Sequence, residues 1–553
     1  MNIQEKIKEW IKETLKIQKD FVLAHPKDIK NGDYSFFAAS ENPKEYLEKL
    51  EKNKLKEIER IEMVGKFINF YLSKDFFAES VKDILDSGDK IGNNKLNKEK
   101  TIIEYTDPNP FKQFHIGHLM SNTIGESISR ITEANGVEVK RANYQGDVGM
   151  HVAKTIWGKI QKPEMSWGEV YAYGAKNYDE NKNEITEINK KIYDKSDEKI
   201  NELYDKGKKD SLDYFEIMYE ELGTKFDFYF FESEVGEEGK KVVLEFLKKG
   251  IFEESDGAVV FRGEKYDKKL HTRVFINSQG LPVYEAKELA LAKIKYEKYK
   301  YDKSIVITGN EIDEYFKVLL AAMNEVFPDL ASKTKHLSHG MLRLPTGKMA
   351  SRTGDVITAE SLIDQVKEKV LDKIKGREFS EQVKNELAEI VAIGAIKYSI
   401  LKQAIGGDII FDFDKSISFE GDSGPYLQYA CVRANSVLEK FKAAKMISSV
   451  GFADFSSKNM TSEIILTAPV TELERYLYRF PEVVERAGAE YAPHYIVTYL
   501  TELAGIFNSF YANNKIIDEN DPTSPYKISL TAATAHILKS GLYLLGIKVP
   551  ERM

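Results

Sequence analysis

A short β-branched run, Thr101–Thr106, leads directly into Asp107-Pro108-Asn109-Pro110-Phe111-Lys112-Gln113-Phe114-His115-Ile116-Gly117-His118, and no other stretch restricts the fold as much. The run has the apolar, β-branched content of a buried strand. Leu119–Ala134 then carries apolar residues at helical spacing (Leu119, Ile124, Ile128, Ile131), and Asn135-Gly136 supplies a C-terminal stop. Two imidazoles three positions apart therefore lie where a strand's carboxyl end hands over to a helix N-terminus. Free backbone N–H groups and the positive helix end favour phosphate at such a place. Gly117 has no Cβ, so a flat ring such as adenine can lie against the backbone there. His115 and His118 can donate hydrogen bonds to a phosphate whose charge grows during reaction. A His-x-x-His tetrapeptide alone is equally a surface pair or a metal half-site, so the nucleotide reading needs a second signal.

That signal is Leu344-Pro345-Thr346-Gly347-Lys348-Met349-Ala350-Ser351-Arg352-Thr353-Gly354. Glycines flank a run with cations at both ends and hydroxyls between, the make-up of a loop able to close over phosphates. Lys348 and Arg352 would neutralise a triphosphate, and Ser351 and Thr353 offer short donors. Paired with the upstream histidines, this run resembles the second signature of class I aminoacyl-tRNA synthetases. The neighbouring residues are similar to those of arginyl-tRNA synthetases: Glu104-Tyr105-Thr106-Asp107-Pro108-Asn109, Asn143-Tyr144-Gln145-Gly146-Asp147-Val148-Gly149, Gly421–Tyr429, Arg479-Phe480-Pro481-Glu482, Phe507–Tyr511 and the closing Pro550–Met553. The resemblance runs from roughly residue 60 to the last residue, the Lys/Glu-rich middle being unspecific.

Composition agrees. At 553 residues the chain is too long for one core, and several domains are expected. Hydrophobic content of 42% with 30% charged residues suits a globular protein, and no run approaches the ~18–20 apolar residues of a membrane span. Met1–Asp20 mixes acidic residues with Lys, unlike a signal or transit peptide. The single cysteine, Cys431, excludes an internal disulfide and fits a reducing, cytoplasmic location. A net charge of −8 does not advertise a nucleic-acid binder, but 80 Lys and Arg residues can supply local basic faces.

Strand and helix patterns alternate: Val137–Tyr144, a helix from about Val148, Thr272–Asn277, a helix over Tyr284–Tyr296, Ser304–Thr308, a helix from Glu311, and Lys335–His339. Alternation argues an α/β fold with a Rossmann-like, doubly wound parallel sheet that binds ligands at its strands' carboxyl ends. Residues 162–264 are dominated by Lys, Glu, Asp and Tyr at helical spacing and read as a solvated helical insertion. From Ala359 the pattern is helical to the end. The expected organisation is a small α/β N-terminal domain over 1–97, the catalytic domain in halves 98–161 and 265–413 around the insertion, and an all-α bundle over 414–553. The resemblance implies contact of the first domain with the tRNA elbow and reading of the anticodon by the last.

The resemblance implies a two-step reaction. Arginine's carboxylate attacks the α-phosphate of ATP, then the adenylate acylates the terminal adenosine of tRNA(Arg). Magnesium would accompany the triphosphate, with no resident metal site and no tightly bound cofactor; the chain would act as a monomer, and arginine activation would depend on tRNA. Lys112, His115, His118, Lys348 and Arg352 are the expected catalytic residues. ATP would meet His115, Gly117, His118, Gly309, Met341, Lys348, Met349 and Ser351. The usual loop has lysine where Ser351 stands, and Lys112, just upstream of the histidines, is expected to supply that charge. Arginine would meet Glu104, Asp107, Pro108, Asn109, His118, Tyr284 and Glu288. Tyr284 and Glu288 share a helix face at i, i+4; the family usually has aspartate at the second position. Ile312 stands where glutamine is usual and cannot hydrogen-bond through its side chain. In the bundle, Tyr426, Gln428, Arg433, Tyr499 and Tyr511 are the expected tRNA contacts. The competing reading of another class is a tRNA-binding paralogue that has lost catalysis, suggested by Ala350, Ser351 and Ile312.

Overall fold

Among the described residues the chain divides into two compact units, 95–416 and a second made of 1–94 with 417–553. The computed structural model describes residues 3–38, 43–343, 357–447 and 469–553.

The second unit opens with a four-stranded antiparallel sheet. Helix α1 (Ile3–Leu15) is followed by strands β1 (Leu23–Ala24) and β2 (Tyr34–Phe37), helix α2 (Pro43–Lys52), strands β3 (Ile58–Val64) and β4 (Phe67–Leu72), and helix α3 (Lys74–Ser87). The strand order is β1-β2-β4-β3. β4 is an apolar run, whereas β2 has only four residues and β3 is interrupted by Glu59, Arg60 and Glu62, so their period-2 pattern is weak.

This sheet and the C-terminal helices share a polar clasp. Fully buried Asp33 accepts from Arg475 Nη1 (2.8 Å) and from the Leu72 N–H (2.8 Å). Tyr34 and His25 both bond to the Glu482 carboxylate, His25 through Nε2 at 3.0 Å. Replacing Asp33 with alanine strips Arg475 of its buried partner. Such a loss is expected to destabilise this unit by about 3–5 kcal/mol. Chemical denaturation with Trp10 fluorescence checks it, and an unchanged midpoint contradicts it.

The other unit is built on five parallel strands: β5 (Lys100–Glu104), β6 (Glu138–Gln145), β7 (Phe228–Phe231), β11 (Lys303–Gly309) and β12 (Thr334–His339), in the order β12-β11-β5-β6-β7. Ile102 and Ile103 of β5 are completely buried. Each such side chain contributes roughly 1.5–3 kcal/mol on burial. Helix α4 (Ile116–Ala134) follows β5. The chain moves to one side of β5 through β6 and β7, and to the other through β11 and β12. The switch point at the carboxyl ends of β5 and β11 is where such sheets open a crevice.

Between β6 and β11 run helices α5 (Met150–Gln161), α6 (Trp167–Lys176), α7 (Lys182–Asp194), α8 (Glu198–Leu222) and α9 (Glu232–Lys248) and strands β8 (Glu253–Ser255), β9 (Ala258–Arg262) and β10 (Thr272–Ile276), then helix α10 (Tyr284–Lys298). Two expectations are corrected here. The segment read as purely helical contributes β7 to the parallel sheet. Thr272–Ile276, read as a resumption of that sheet, instead pairs antiparallel with β9 in a small separate sheet of three strands. Helices α11 (Asp313–Val326) and α12 (Pro328–Lys333) precede β12. Strand β13 (Leu342–Arg343), helices α13 (Ala359–Ile374) and α14 (Glu381–Leu401), strand β14 (Ile409–Ile410) and the short helix α15 (Phe413–Ser416) complete this unit, and β14 pairs with β13.

The remaining chain is helical: α16 (Gly424–Ile447), α17 (Glu472–Leu477), α18 (Phe480–Glu490), α19 (His494–Asn513) and α20 (Ser524–Leu544).

Candidate active site

After β5 the backbone turns through left-handed conformations at Thr106 (φ 80°), Asp107 (φ 46°) and Phe111 (φ 69°). Non-glycine residues in such regions cost on the order of 1–3 kcal/mol each and persist only where their surroundings fix them. The Thr106 N–H donates to Ser121 Oγ (3.0 Å), its hydroxyl accepts from Asn122 Nδ2 (3.0 Å), and the Phe111 N–H donates to Ser211 Oγ of α8 (2.9 Å).

The histidines then cap α4. His115 Nδ1 accepts from the N–H groups of Gly117 (3.1 Å) and His118 (3.4 Å), and His118 Nδ1 accepts from the His115 N–H (3.2 Å). The rings stack with centroids 3.5 Å apart. A Cβ on Gly117 would lie 2.9 Å from His115 Cε1, so only glycine lets the capping ring fold over. Ring nitrogens that accept from backbone N–H groups carry no proton, so each imidazole keeps its proton on Nε2. Burial and then Lys112's charge push His115 down to about 4; burial, His115 and Lys112 together hold His118 well below the imidazole range. At neutral pH the turn presents two uncharged Nε2–H donors beside a helix N-terminus.

On the other side of the turn lies a carboxylate pocket. Asp107 Oδ1 accepts from the Tyr144 N–H (2.8 Å), and Asn109 Oδ1 accepts from the Gly146 N–H (3.0 Å). Pro108 between them is buried. Burial, then Glu104's charge, raises Asp107 well above the carboxylate range, and Glu288 on α10 is among the charges that act on it. Burial and Glu104 also push Glu288 up to about 8. Glu104 itself differs from expectation. Its Oε2 accepts from buried Lys295 Nζ at 3.0 Å, so it is not an unpaired carboxylate awaiting a ligand. Tyr284, one turn before Glu288, is 57% exposed.

Several participants were not among the expected site residues. At the end of β6, Tyr144 OH, Asn143 Oδ1 and Gln145 Oε1 are buried without hydrogen-bond partners among the described residues. Buried polar groups are almost always satisfied; Asn143 and Gln145 face Tyr219 of α8, while Tyr144, between them, points to the opposite face of the strand. Asp147, fully buried, accepts from Tyr204 OH (2.9 Å), Lys208 Nζ (2.6 Å) and the N–H (2.9 Å) and hydroxyl (2.6 Å) of Ser233. The His151 ring bonds to the Gly146 carbonyl at 2.9 Å, and Lys287 pairs with Glu232 at 2.6 Å. The Asn143–Gly149 run was the signal that pointed here.

Lys112 lies close enough to His115 and His118 for its charge to act on both, and Asp107 shares a buried carboxylate cluster with Glu104 and Glu288. Lys112 is half-buried; burial lowers its pKa, and its ammonium lies 5.5 Å from the Tyr171 ring centre. Gly309 ends β11 beside His339, its register partner on β12. The Met341 N–H donates to Asp408 Oδ1 (2.9 Å). Ile312 is 36% exposed. Lys348, Met349, Ser351 and Arg352 lie outside the described residues.

Residues 80–413, more than half of the chain, match the profile of the tRNA synthetases class I (R) catalytic domain, and residues 427–553 match that of the DALR anticodon binding domain. The chain belongs to the arginyl-tRNA synthetase family. It is 33% identical to an arginine–tRNA ligase of Borreliella burgdorferi over 522 residues, covering 89% of this chain and 87% of that one. A Clostridium kluyveri arginine–tRNA ligase is 30% identical, with both chains covered completely. The fold is that of the Thermus thermophilus arginyl-tRNA synthetase, with a TM-score of 0.81 at 22% identity and full coverage of both chains. The Plasmodium falciparum arginyl-tRNA synthetase follows at TM-score 0.77, 21% identity and coverage of 100% and 99%.

In the helical bundle, two expected contacts of this synthetase-family chain are corrected. Gln428 is fully buried, and its Nε2 donates to the Lys548 carbonyl (2.7 Å). Tyr499 is 4% exposed, stacks on Tyr476 and donates to the Tyr476 carbonyl (3.0 Å). Both are packing residues, because neither has a free face to offer a base. Arg433, by contrast, lies within 4.7 Å of the Tyr429 ring centre and 5.1 Å of that of Tyr511, and donates to Asn508 Oδ1. Asn508 Nδ2 in turn donates to Tyr426 OH (3.0 Å).

Proposed function

We propose that the chain is an ATP-dependent arginine–tRNA ligase, and the stacked, neutral imidazole pair beside a carboxylate-lined pocket is the observation that carries this reading. One carboxylate oxygen of L-arginine attacks the α-phosphorus of ATP, the bond to the bridging oxygen of the β-phosphate breaks, and pyrophosphate leaves. The 3′-terminal adenosine of tRNA(Arg) then attacks the carbonyl carbon of the adenylate through a ribose hydroxyl, and AMP departs with the electron pair. The protein forms no bond in either step; it orients reactants and stabilises developing charge.

Uncharged imidazoles suit that role. Each Nε2–H donates to phosphate oxygens whose charge grows in the transition state, without fixing a full positive charge that would hold the ground state equally well. Asp107, Pro108, Asn109 and the α4 end near His118 would seat the amino acid's backbone end, and Glu288 with Tyr284 its guanidinium. Gly117, Gly309 and Met341 would border the adenosine. Lys348, Met349, Ser351 and Arg352 are assigned to the phosphates on sequence grounds. Magnesium would enter with the triphosphate as part of the substrate.

Lys112 is proposed as the second phosphate cation in place of the lysine missing at Ser351. Replacing Lys112 with methionine is expected to slow adenylate formation by roughly 10²-fold, the scale of a lost charge-stabilising donor. Single-turnover adenylate formation checks this, and a rate within twofold of the unmodified chain contradicts it.

For tRNA, the Arg433–Tyr429–Tyr511–Tyr426 cluster is proposed as part of the anticodon contact within 414–553, and residues 1–97 as the elbow-binding domain. Aromatic stacking on an unpaired base is worth roughly 1–3 kcal/mol. No helix among the described residues is long and apolar enough to cross a membrane, and action as a monomer in the cytoplasm is proposed. No observation favours a catalytically impaired paralogue. The test is charging: labelled arginine should become acid-precipitable on tRNA(Arg) in the presence of ATP, and failure to charge any tRNA with arginine would overturn the reading.

A further inference from the structure

We infer that Tyr214, on α8, is a positioning residue that ties the turn carrying His115 and His118 to the start of α13. The inference rests on the ligase reading and concerns how its phosphate site is kept in register.

Four hydrogen bonds meet at this point. The Ile116 N–H donates to the Ile357 carbonyl (3.2 Å) and the Ala359 N–H to the Phe114 carbonyl (2.8 Å), a short antiparallel bridge centred on His115 and Thr358. The segment immediately after the Lys348 signature is thus zipped to the backbone that carries His115 and His118. Tyr214 OH lies across this zipper. It accepts from the Phe114 N–H (3.4 Å) and donates to Glu360 Oε2 (2.8 Å) at the first turn of α13. One hydroxyl therefore contacts the residue before His115 and the helix that begins one residue after the bridge.

The helix supplying the hydroxyl is committed to the site along its length. Tyr204 and Lys208 hold Asp147, Gly207 packs on Phe111, and Ser211 accepts the Phe111 N–H. These positions recur every three or four residues, so one face of α8 follows the turn from Asp147 to His115. Among these described contacts, Tyr214 is the one that reaches residues of α13. Loss of its hydroxyl would leave the turn and α13 folded, with the Nε2–H donors free to drift by fractions of an ångström. Displacement of that size at reacting groups lowers rate more than binding.

The experiment uses the full chain and arginine-dependent pyrophosphate exchange with tRNA present. Tyr214→Phe is expected to lower kcat about tenfold, the scale of one hydrogen bond to a charged group, with the KM for arginine within twofold. Glu360→Ala should match it, Glu360→Gln should retain near-normal kcat because its amide oxygen still accepts the hydroxyl, and the Tyr214→Phe/Glu360→Ala double variant should be no slower than either single one. A kcat within twofold in Tyr214→Phe, equal losses in Glu360→Gln and Glu360→Ala, or additive losses in the double variant would each overturn the inference. Were Tyr214→Phe not to fold, the Glu360 pair decides alone. Absence of exchange by the unmodified chain overturns the ligase reading and this inference with it.

Discussion

Replacing His118 with alanine is expected to lower arginine-dependent pyrophosphate exchange by roughly 10²–10³-fold, the usual effect of removing one preorganised donor to developing charge. Two losses combine. The Nε2–H donor disappears, and the His115 N–H loses the Nδ1 atom that accepts it at 3.2 Å, which loosens the cap of α4. His115→Ala should be comparable, because its Nδ1 accepts two backbone N–H groups. The pH dependence separates this account from one based on imidazolium. His115 titrates at about 4, and His118 is also held below the ordinary range, by burial first and neighbouring charge second. The active, neutral form is therefore present throughout pH 6–8, and activity would fall only as pH drops towards 4. A rate that rises on acidification through pH 6.5 would show that the protonated rings act instead.

Truncating Glu288 to alanine is expected to raise the KM for arginine by roughly 10²–10³-fold, from removal of one member of a buried charge pair, with the KM for ATP nearly unchanged. The same residue gives the site a pH signature. In the empty pocket its carboxyl titrates at about 8, raised by burial and by Glu104, so at pH 7 it holds a proton. A guanidinium stabilises the ionised form, so binding expels that proton. Arginine affinity should rise about tenfold per pH unit as pH climbs from 6 towards 8, then level off. Calorimetry in two buffers of different ionisation enthalpy reads the released proton. No release, or affinity that is flat from pH 6 to 8 in the unmodified chain, would show that Glu288 is already ionised or does not face the ligand.

Local features were legible in the sequence. β5, the Asp107–His118 turn and α4 could be read because strand composition, Gly117 and the apolar period lie within about ten residues of one another. The strands at Ser304–Thr308 and Lys335–His339 were visible for the same reason. Partnerships across the chain were not. Glu104 and Lys295 are 191 positions apart, and nothing in either neighbourhood shows that a lysine of α10 fills the space beside a strand carboxylate. Strand β7 is four residues, Phe228–Phe231, in a stretch whose Lys and Glu content reads as solvated helix. Helix α8 hid its function similarly. Its exposed side carries the charge that dominates the composition, while Gly207, Ser211 and Tyr219 on the other side are buried against the site. Tyr499 and Gln428 show the converse. Their side chains are of types that bind nucleic acid, but the bundle's packing takes both inside.

The most direct measurement is ATP–pyrophosphate exchange by the unmodified chain across all twenty amino acids, each with and without tRNA(Arg). The account expects exchange with arginine alone, dependent on tRNA, and lowered together with charging by roughly 10²–10³-fold in the His118→Ala chain. Exchange driven by lysine or glutamate, or full exchange in the absence of both histidine side chains, would contradict it.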